Sequence, residues 1–132
     1  MLPLIVGISI FFFGFGIIIA LYKDIPDWAG DKRYAVPTFA VRWGQRRVFV
    51  LGRWLLTALY LIPILWGLRQ GGAGVVLALV HAAALAAFWR RSLQTQPDQP
   101  ASMMRLYLFL WGLFYLEYIL LGFGGLIAGL YL

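Results

Sequence analysis

Four long apolar stretches, separated by charged or polar segments, dominate the hydrophobic pattern of the chain. They run over about 3–22, 48–68, 73–89 and 106–130. Each approaches or exceeds the roughly 20 residues that an α-helix needs to cross a bilayer. The first stretch has no Lys or Arg before Lys23, whereas a signal peptide begins with basic residues. The pattern predicts an all-α membrane protein with about four transmembrane helices, forming a single transmembrane helical domain over residues 1–132.

The segments between these stretches predict where the chain turns. Residues 69–72 read RQGG, which predicts a short turn between the second and third helices. Residues 94–102 are polar and contain two prolines, which predicts a loop before the last helix. The glycines from Gly122 onward predict a bend or break near the end of that helix.

Composition narrows the class of protein. Of the 132 residues, 63% are hydrophobic and 12% are charged, and the mean hydropathy is +0.85. Soluble domains carry about 25% charged residues, so an ordinary soluble enzyme is excluded. The chain has no cysteine and one histidine. Disulfides, cysteine nucleophiles, thiolate metal sites and multi-histidine metal sites are therefore excluded.

The positive charges predict the orientation in the membrane. Eleven Lys and Arg outnumber five Asp and Glu, and seven of the eleven lie from Lys23 to Arg53. The next turn holds only Arg69, and the following loop is flanked by three arginines. Because positive loops stay in the cytoplasm, the first and third loops are predicted there and both termini on the opposite side. Arg53, one turn inside the second helix, is predicted to snorkel to the interface. The apolar background favours the lipid bilayer and an anionic substrate as partners, with no nucleic acid.

The first loop, about residues 23–47, concentrates the acidic residues. Asp24, Asp27 and Asp31 are separated by three and four positions, which on a helix places them on one face. Three such carboxylates repel one another unless a cation lies between them. Hard oxygen ligands without His or Cys suit Mg²⁺, which completes its shell with water and phosphate.

Basic residues flank these aspartates and are candidates for binding diphosphate oxygens directly. They are Lys23, Lys32, Arg33 and Arg42. The pattern indicates a magnesium–diphosphate site at the membrane surface. The alternative is an ordinary solvated loop at the end of a span, because Pro26 and Gly30 both weaken a continuous helix.

Three segments resemble one known family. Residues 23–33 read KDIPDWAGDKR, residues 38–49 read TFAVRWGQRRVF, and residues 106–118 read LYLFLWGLFYLEY. The first two are similar to the second aspartate-rich region of the UbiA prenyltransferase superfamily. Within that superfamily, these two segments are most similar to the homogentisate phytyl, solanesyl and geranylgeranyl transferase branch. The third segment resembles a late helix of the same branch.

The resemblance implies an all-helical intramembrane enzyme with Mg²⁺ as its cofactor. Members ionise an isoprenoid diphosphate to an allylic cation and transfer the prenyl group to an aromatic acceptor such as homogentisate, in tocopherol or prenylquinone synthesis. By the resemblance, Asp27 and Asp31 match the DxxxD pair that binds Mg²⁺, and Asp24 is an additional acid. Lys23 and Arg42 match basic positions assigned to the diphosphate.

The resemblance covers only the C-terminal half of such an enzyme. The first aspartate-rich motif of the family is NxxxDxxxD, but this sequence contains no Asn and no second DxxxD. A separate N-terminal half is therefore expected as a partner, with the chain a split-gene product, a truncated reading frame or a fragment. Two alternatives stay open: a relative acting on chlorophyllide or a quinone precursor, and a non-catalytic four-span partner or scaffold protein.

Two ionisable residues lie inside predicted spans, His81 in the third and Glu117 in the last. Intramembrane ionisable residues are functional candidates by default. The structural alternative for His81 is a neutral ring bonded to a neighbouring helix. For Glu117 it is a pair with an arginine, or a hydrogen bond from a Tyr or Trp.

Overall fold

A computed structural model describes residues 2–124 of the chain, and this part is helical without strands. The elements are α1 (Leu2–Lys23), α2 (Trp28–Arg33), α3 (Phe39–Trp43), α4 (Gln45–Gln70), α5 (Ala73–Leu93), α6 (Pro100–Glu117) and a π-helical segment (Tyr118–Gly124). Four stretches, namely α1, α4, α5 and Pro100–Phe123, are long and apolar enough to cross a membrane. The predicted all-α membrane class is confirmed.

The helices extend beyond the apolar stretches that predicted them. α4 begins at Gln45 rather than at 48, and α5 continues to Leu93 through the two arginines that end the apolar run. α6 begins at Pro100, where the missing N–H of proline costs no helical hydrogen bond. The π-helical segment replaces regular α-helix from Tyr118 to Gly124, where glycines predicted a bend. The predicted end of the last span, at 130, lies outside the described residues, and the single-domain assignment stays a prediction.

α4 is the central helix of the bundle. It packs along α5 as an antiparallel hairpin and along α1 on another side, while α6 contacts both α1 and α5. Aromatic and aliphatic side chains of all four helices meet in one core, which includes Phe15, Tyr60, Phe88 and Leu110. No more than 33% of the apolar window of any spanning helix is buried. Most of the apolar surface therefore faces outward, as a lipid environment requires.

Two glycines form the turn of the α4–α5 hairpin. Gly71 has φ of 67° and Gly72 has φ of 47°, both in the left-handed region that favours glycine. α4 ends at Gln70 and α5 begins at Ala73, so these two residues make up the whole connection. The predicted turn is therefore present, and it fixes α4 and α5 side by side.

Close packing of Tyr22 on Gly52 fixes the end of α1 against the beginning of α4. The Tyr22 ring stacks on Phe49 with centroids 5.8 Å apart, and its hydroxyl donates to the Phe49 carbonyl oxygen over 2.8 Å. A side-chain Cβ at position 52 would overlap the Tyr22 ring. The glycine thus lets the two helices approach closely where the first loop leaves α1 and enters α4.

We expect the Gly52→Ala substitution to destabilise the bundle by about 1–3 kcal/mol, because the added methyl forces α1 away from α4. The measurement is unfolding by sodium dodecyl sulfate in mixed micelles, followed by circular dichroism. Gly16→Ala is the matched control, since a methyl there meets nothing within 4 Å. Equal stability of the two variants would show that the Tyr22–Gly52 contact does not hold α1 in place.

Candidate functional site

The first loop is tied to the helices at its first turn. Ile25 is fully buried, and its carbonyl oxygen accepts a 2.9 Å hydrogen bond from the side-chain amide of Gln45. The backbone N–H of Trp28 donates to the same carbonyl over 3.3 Å, closing the turn that leads into α2. Burial of the Ile25 side chain and the hydrogen bond from Gln45 therefore hold the acidic turn, residues 24–27, against the beginning of α4.

Asp27 and Asp31 lie one helical turn apart. The backbone N–H of Asp31 donates to the carbonyl oxygen of Asp27 over 2.9 Å, and Asp27 immediately precedes α2. The DxxxD spacing is therefore helical, despite Pro26 and Gly30. Asp24 lies on the preceding turn. In residues 2–124, no three His, Cys, Asp or Glu side chains converge closely enough to surround one metal ion.

The three carboxylates nevertheless share one local electrostatic field. Asp24 is half-buried, Asp27 is exposed and Asp31 is partly buried. Burial raises the pKa of Asp24 above its ordinary value. Lys23, whose Nζ lies 3.8 Å from the Asp24 carboxylate, lowers this pKa, and the negative charges of Asp31 and Asp27 raise it further. Burial and the neighbouring carboxylates thus both disfavour the charged form of Asp24.

This donor set fits the chemistry of Mg²⁺. All three candidate ligands are hard oxygens, and Mg²⁺ in proteins is usually held by one or two carboxylates, with water and phosphate oxygens as the other ligands. The carboxylates of Asp27 and Asp31, on one helical turn, match that need without a third protein ligand. A cation bound there would also relieve the repulsion that Asp24 experiences from its neighbours.

The second segment that resembles the family, residues 38–49, folds into α3 and the first turns of α4. The Thr38 hydroxyl accepts a hydrogen bond from the Val41 N–H over 3.3 Å, which begins α3 as an N-cap. Gly44, with φ of 90°, ends α3 and joins it to α4. Ala40 is buried while Arg42 is exposed. α3 packs against both α2 and α4, so the helix that carries Arg42 lies beside the helix that carries Asp31.

The four predicted diphosphate-binding residues are all exposed on this loop. The Lys32 ammonium lies 4.7 Å from the centre of the Trp28 ring, and the Arg33 guanidinium lies 5.9 Å from that of Tyr34. In the described part of the chain, Lys23 is the one member of the four that pairs with a carboxylate. The cations of Lys32, Arg33 and Arg42 are left for an anion from outside.

A second polar cluster lies inside the bundle. His81 Nε2 is 2.8 Å from Glu117 Oε2, with both side chains fully buried. His81 Nδ1 lies 2.7 Å from the Leu77 carbonyl oxygen, and since a carbonyl only accepts, Nδ1 carries a proton. The Nε2–Oε2 contact needs a second proton between the two atoms. The pair is therefore neutral overall, which suits a membrane interior.

The ion-pair partner of Glu117 was not predicted. An arginine was one expectation, whereas the structure pairs Glu117 on α6 with His81 on α5. The expected Tyr neighbour is present, because the Tyr60 hydroxyl interacts with Glu117. The Tyr60 ring lies 6.2 Å from the imidazole and brings α4 to the same cluster. For His81 the expected bond to a neighbouring helix is present. The cluster joins three helices well away from the aspartates, which supports a structural role.

We expect Glu117→Leu to destabilise the bundle by about 1–3 kcal/mol, because His81 then loses its buried partner. The double variant His81→Leu/Glu117→Leu should lose less than the sum of the two single variants, since the contact is removed from both sides. Detergent unfolding of the four proteins measures this coupling. Strictly additive losses would mean that the two side chains do not stabilise each other.

Comparison with known proteins gives consistent matches. The UbiA prenyltransferase family pattern matches residues 1–113. A homogentisate phytyltransferase of Arabidopsis thaliana is 36% identical over 92% of this chain and 31% of its own length. A probable homogentisate phytyltransferase of Oryza sativa is 38% identical over 81% of this chain and 27% of its own length.

A third relative is also matched over most of this chain but over a minor part of its own length. The homogentisate phytyltransferase of Synechocystis is 33% identical over 86% of this chain and 37% of its own length. The chain therefore spans about a third of the length of the curated relatives it matches. No solved structure matches it significantly.

Proposed function

Because the chain belongs to the UbiA prenyltransferase family, we propose that it is the C-terminal part of an intramembrane aromatic prenyltransferase. The proposed reaction transfers a prenyl group from an isoprenoid diphosphate to an aromatic acceptor, with homogentisate as the first candidate. The observation that carries the proposal is the acidic loop, where Asp27 and Asp31 share a helical turn beside unpaired cations. Relatives that are named for transfer to homogentisate support the choice of acceptor.

In this proposal the loop binds the diphosphate end of the substrate. Asp27 and Asp31, with Asp24 beside them, hold Mg²⁺, which supplies positive charge against the negative charge that grows on the departing diphosphate. Lys23, Lys32, Arg33 and Arg42 donate hydrogen bonds to phosphate oxygens and orient the leaving group. Cationic groups placed where charge develops lower the barrier to cleavage of the allylic C–O bond.

The position of the loop at the ends of two spanning helices also determines where the prenyl chain of the substrate lies. The loop joins the ends of two spanning helices, α1 and α4, so a diphosphate bound there leaves its prenyl chain among apolar side chains. An apolar surrounding with little water protects an allylic cation from reaction with water until the aromatic ring attacks it. The ring then loses a proton, and the prenylated acceptor leaves through lipid.

A separate N-terminal segment completes the proposed site. Family members pair the DxxxD motif with a first motif, NxxxDxxxD, which this sequence does not contain. A single DxxxD leaves part of the metal and diphosphate shell to be supplied by that segment. We therefore propose that transfer requires assembly of this chain with a membrane segment that carries the first motif.

We expect Asp27→Asn and Asp31→Asn each to lower prenyl transfer by about 100-fold or more, since each removes charge stabilisation of the leaving group. The assay uses the chain co-expressed with a segment carrying the first motif, and a panel of prenyl diphosphates with homogentisate and Mg²⁺. Asp98→Asn is the control, because Asp98 is exposed in the α5–α6 loop and lies outside the DxxxD motif. Transfer that is unaffected by both loop variants would reassign the chain to a non-catalytic membrane partner.

The proposed orientation places the α1–α4 loop and the α5–α6 loop in the cytoplasm. Since the sequence has no cysteine, single cysteines report their own positions cleanly. We expect Val36→Cys and Gln96→Cys to react with a membrane-impermeant maleimide added to the cytoplasmic side only. Gln70→Cys, next to the α4–α5 turn, should react from the other side only. The reverse labelling pattern would overturn the orientation.

A further inference from the structure

The partly buried Arg53 is held between α4 and α5, near the end of α5, and its predicted reach to the interface stays a prediction. Arg53 lies eight residues into α4, about 12 Å along the helix from Gln45. Its guanidinium carbon is 4.7 Å from the centre of the Phe49 ring and 5.0 Å from that of Trp89. Nη2 donates to the Ser92 carbonyl oxygen over 3.2 Å. Two aromatic rings and one carbonyl thus fix the guanidinium between α4 and α5.

The positive charge of Arg53 has no carboxylate partner. In residues 2–124 the ion pairs are Lys23–Asp24 and His81–Glu117, neither of which involves an arginine. Arg53 Nε is buried and has no hydrogen-bond acceptor within the same residues. A partly buried guanidinium without a counter-ion is costly. The charge therefore calls for an anion that the described chain does not supply.

A cavity of about 220 Å³ opens beside this guanidinium, between the first turns of α4 and the end of α5. Arg46 and Arg53 line one side, and Ser92 and Thr95 line the other. The hydroxyls of Ser92 and Thr95 already donate to carbonyl oxygens of their own helix, over 3.0 Å and 2.8 Å. The two arginines are therefore the donors that the cavity offers to a ligand.

Two residues that line this cavity also line a groove on the outer surface of the bundle. Arg46 and Val50 also line an open groove with Arg47, Leu51 and the tryptophans at 43 and 54. Trp43 and Trp54 are 49% and 60% exposed, and exposed tryptophans typically lie at the level of lipid headgroups. A ligand here meets arginine donors at one end and apolar, lipid-facing side chains at the other.

We propose that this cleft binds the phosphate of an anionic phospholipid, with Arg53 and Arg46 as its donors. The phosphate neutralises the guanidinium of Arg53, and an acyl chain lies along Val50, Leu51 and Trp54. The site differs from the acidic loop in composition, because no carboxylate lines it. The proposal rests on the unpaired charge of Arg53 and the cleft beside it, and it does not depend on prenyl transfer.

Native mass spectrometry of the detergent-solubilised chain, titrated with phosphatidylglycerol or phosphatidylcholine, tests this proposal. We expect saturable binding selective for phosphatidylglycerol, weakened about tenfold in Arg53→Gln and in Arg46→Gln. Arg90→Gln is the control, since Arg90 is exposed at the same end of α5 but lines neither cavity. Because Arg46 is exposed, its variant tests the site even where Arg53→Gln fails to fold.

Three results would overturn the proposal. The two lipids binding equally would remove the selectivity for anionic phosphate. Equal weakening in Arg90→Gln would indicate general surface charge rather than this cleft. Displacement of phosphatidylglycerol by inorganic pyrophosphate at comparable concentration would assign the arginines to a soluble phosphate ligand instead of a lipid.

Discussion

The contact between the end of α1 and the beginning of α4 decides where the loop chemistry lies. The Tyr22 ring fills the space left by Gly52, and its hydroxyl is bonded to the Phe49 carbonyl oxygen. Three residues further on, the carbonyl oxygen of the buried Ile25 is bonded to Gln45 at the first turn of α4. Without these contacts the aspartates would belong to an unconstrained linker. With them, the acidic turn is attached to the end of a rigid helix pair.

The apolar surroundings explain how the remaining charged groups are arranged. Inside the bundle, His81 and Glu117 form a buried pair with side-chain atoms 2.8 Å apart, and the Arg53 guanidinium lies against two aromatic rings. At the loop, by contrast, burial and the nearby carboxylates of Asp31 and Asp27 raise the pKa of Asp24. The His81–Glu117 pair thus compensates its own charge, whereas Arg53 and the aspartates of the loop are left for ligands from outside. An uncompensated surface cluster of this kind can bind a charged ligand.

Much of the fold was predictable from the sequence because membrane-spanning helices require long, uncharged apolar stretches. The spans and the glycine turn at 71–72 were predictable from apolar length and turn chemistry. The ends of α4 and α5 were not, because arginines end an apolar run without ending a helix. The helical spacing of Asp27 and Asp31 was also predictable, although Pro26 and Gly30 argued against it. Their role as metal ligands stays a prediction, derived from spacing and family resemblance.

Contacts between helices could not be predicted from the sequence in the same way. His81 and Glu117 are 36 positions apart on different helices, and no periodicity relates them. The position of Arg53 depends on Trp89, which the α4–α5 hairpin brings within reach. Such pairs follow from how the helices pack, a property of the whole bundle. The sequence indicated that His81 and Glu117 each needed a polar partner inside the bundle, but it did not show that they pair with each other.

We propose above that Asp27 and Asp31 hold a divalent cation on a diphosphate, and this binding can be measured directly. Electron paramagnetic resonance of Mn²⁺, used in place of Mg²⁺, measures this binding without requiring turnover. The sample is the chain assembled with a segment that carries the first aspartate-rich motif, in the presence of inorganic pyrophosphate. We expect pyrophosphate-dependent Mn²⁺ binding that is lost in the double variant Asp27→Asn/Asp31→Asn. Undiminished Mn²⁺ binding in that variant would show that these aspartates do not hold the cation.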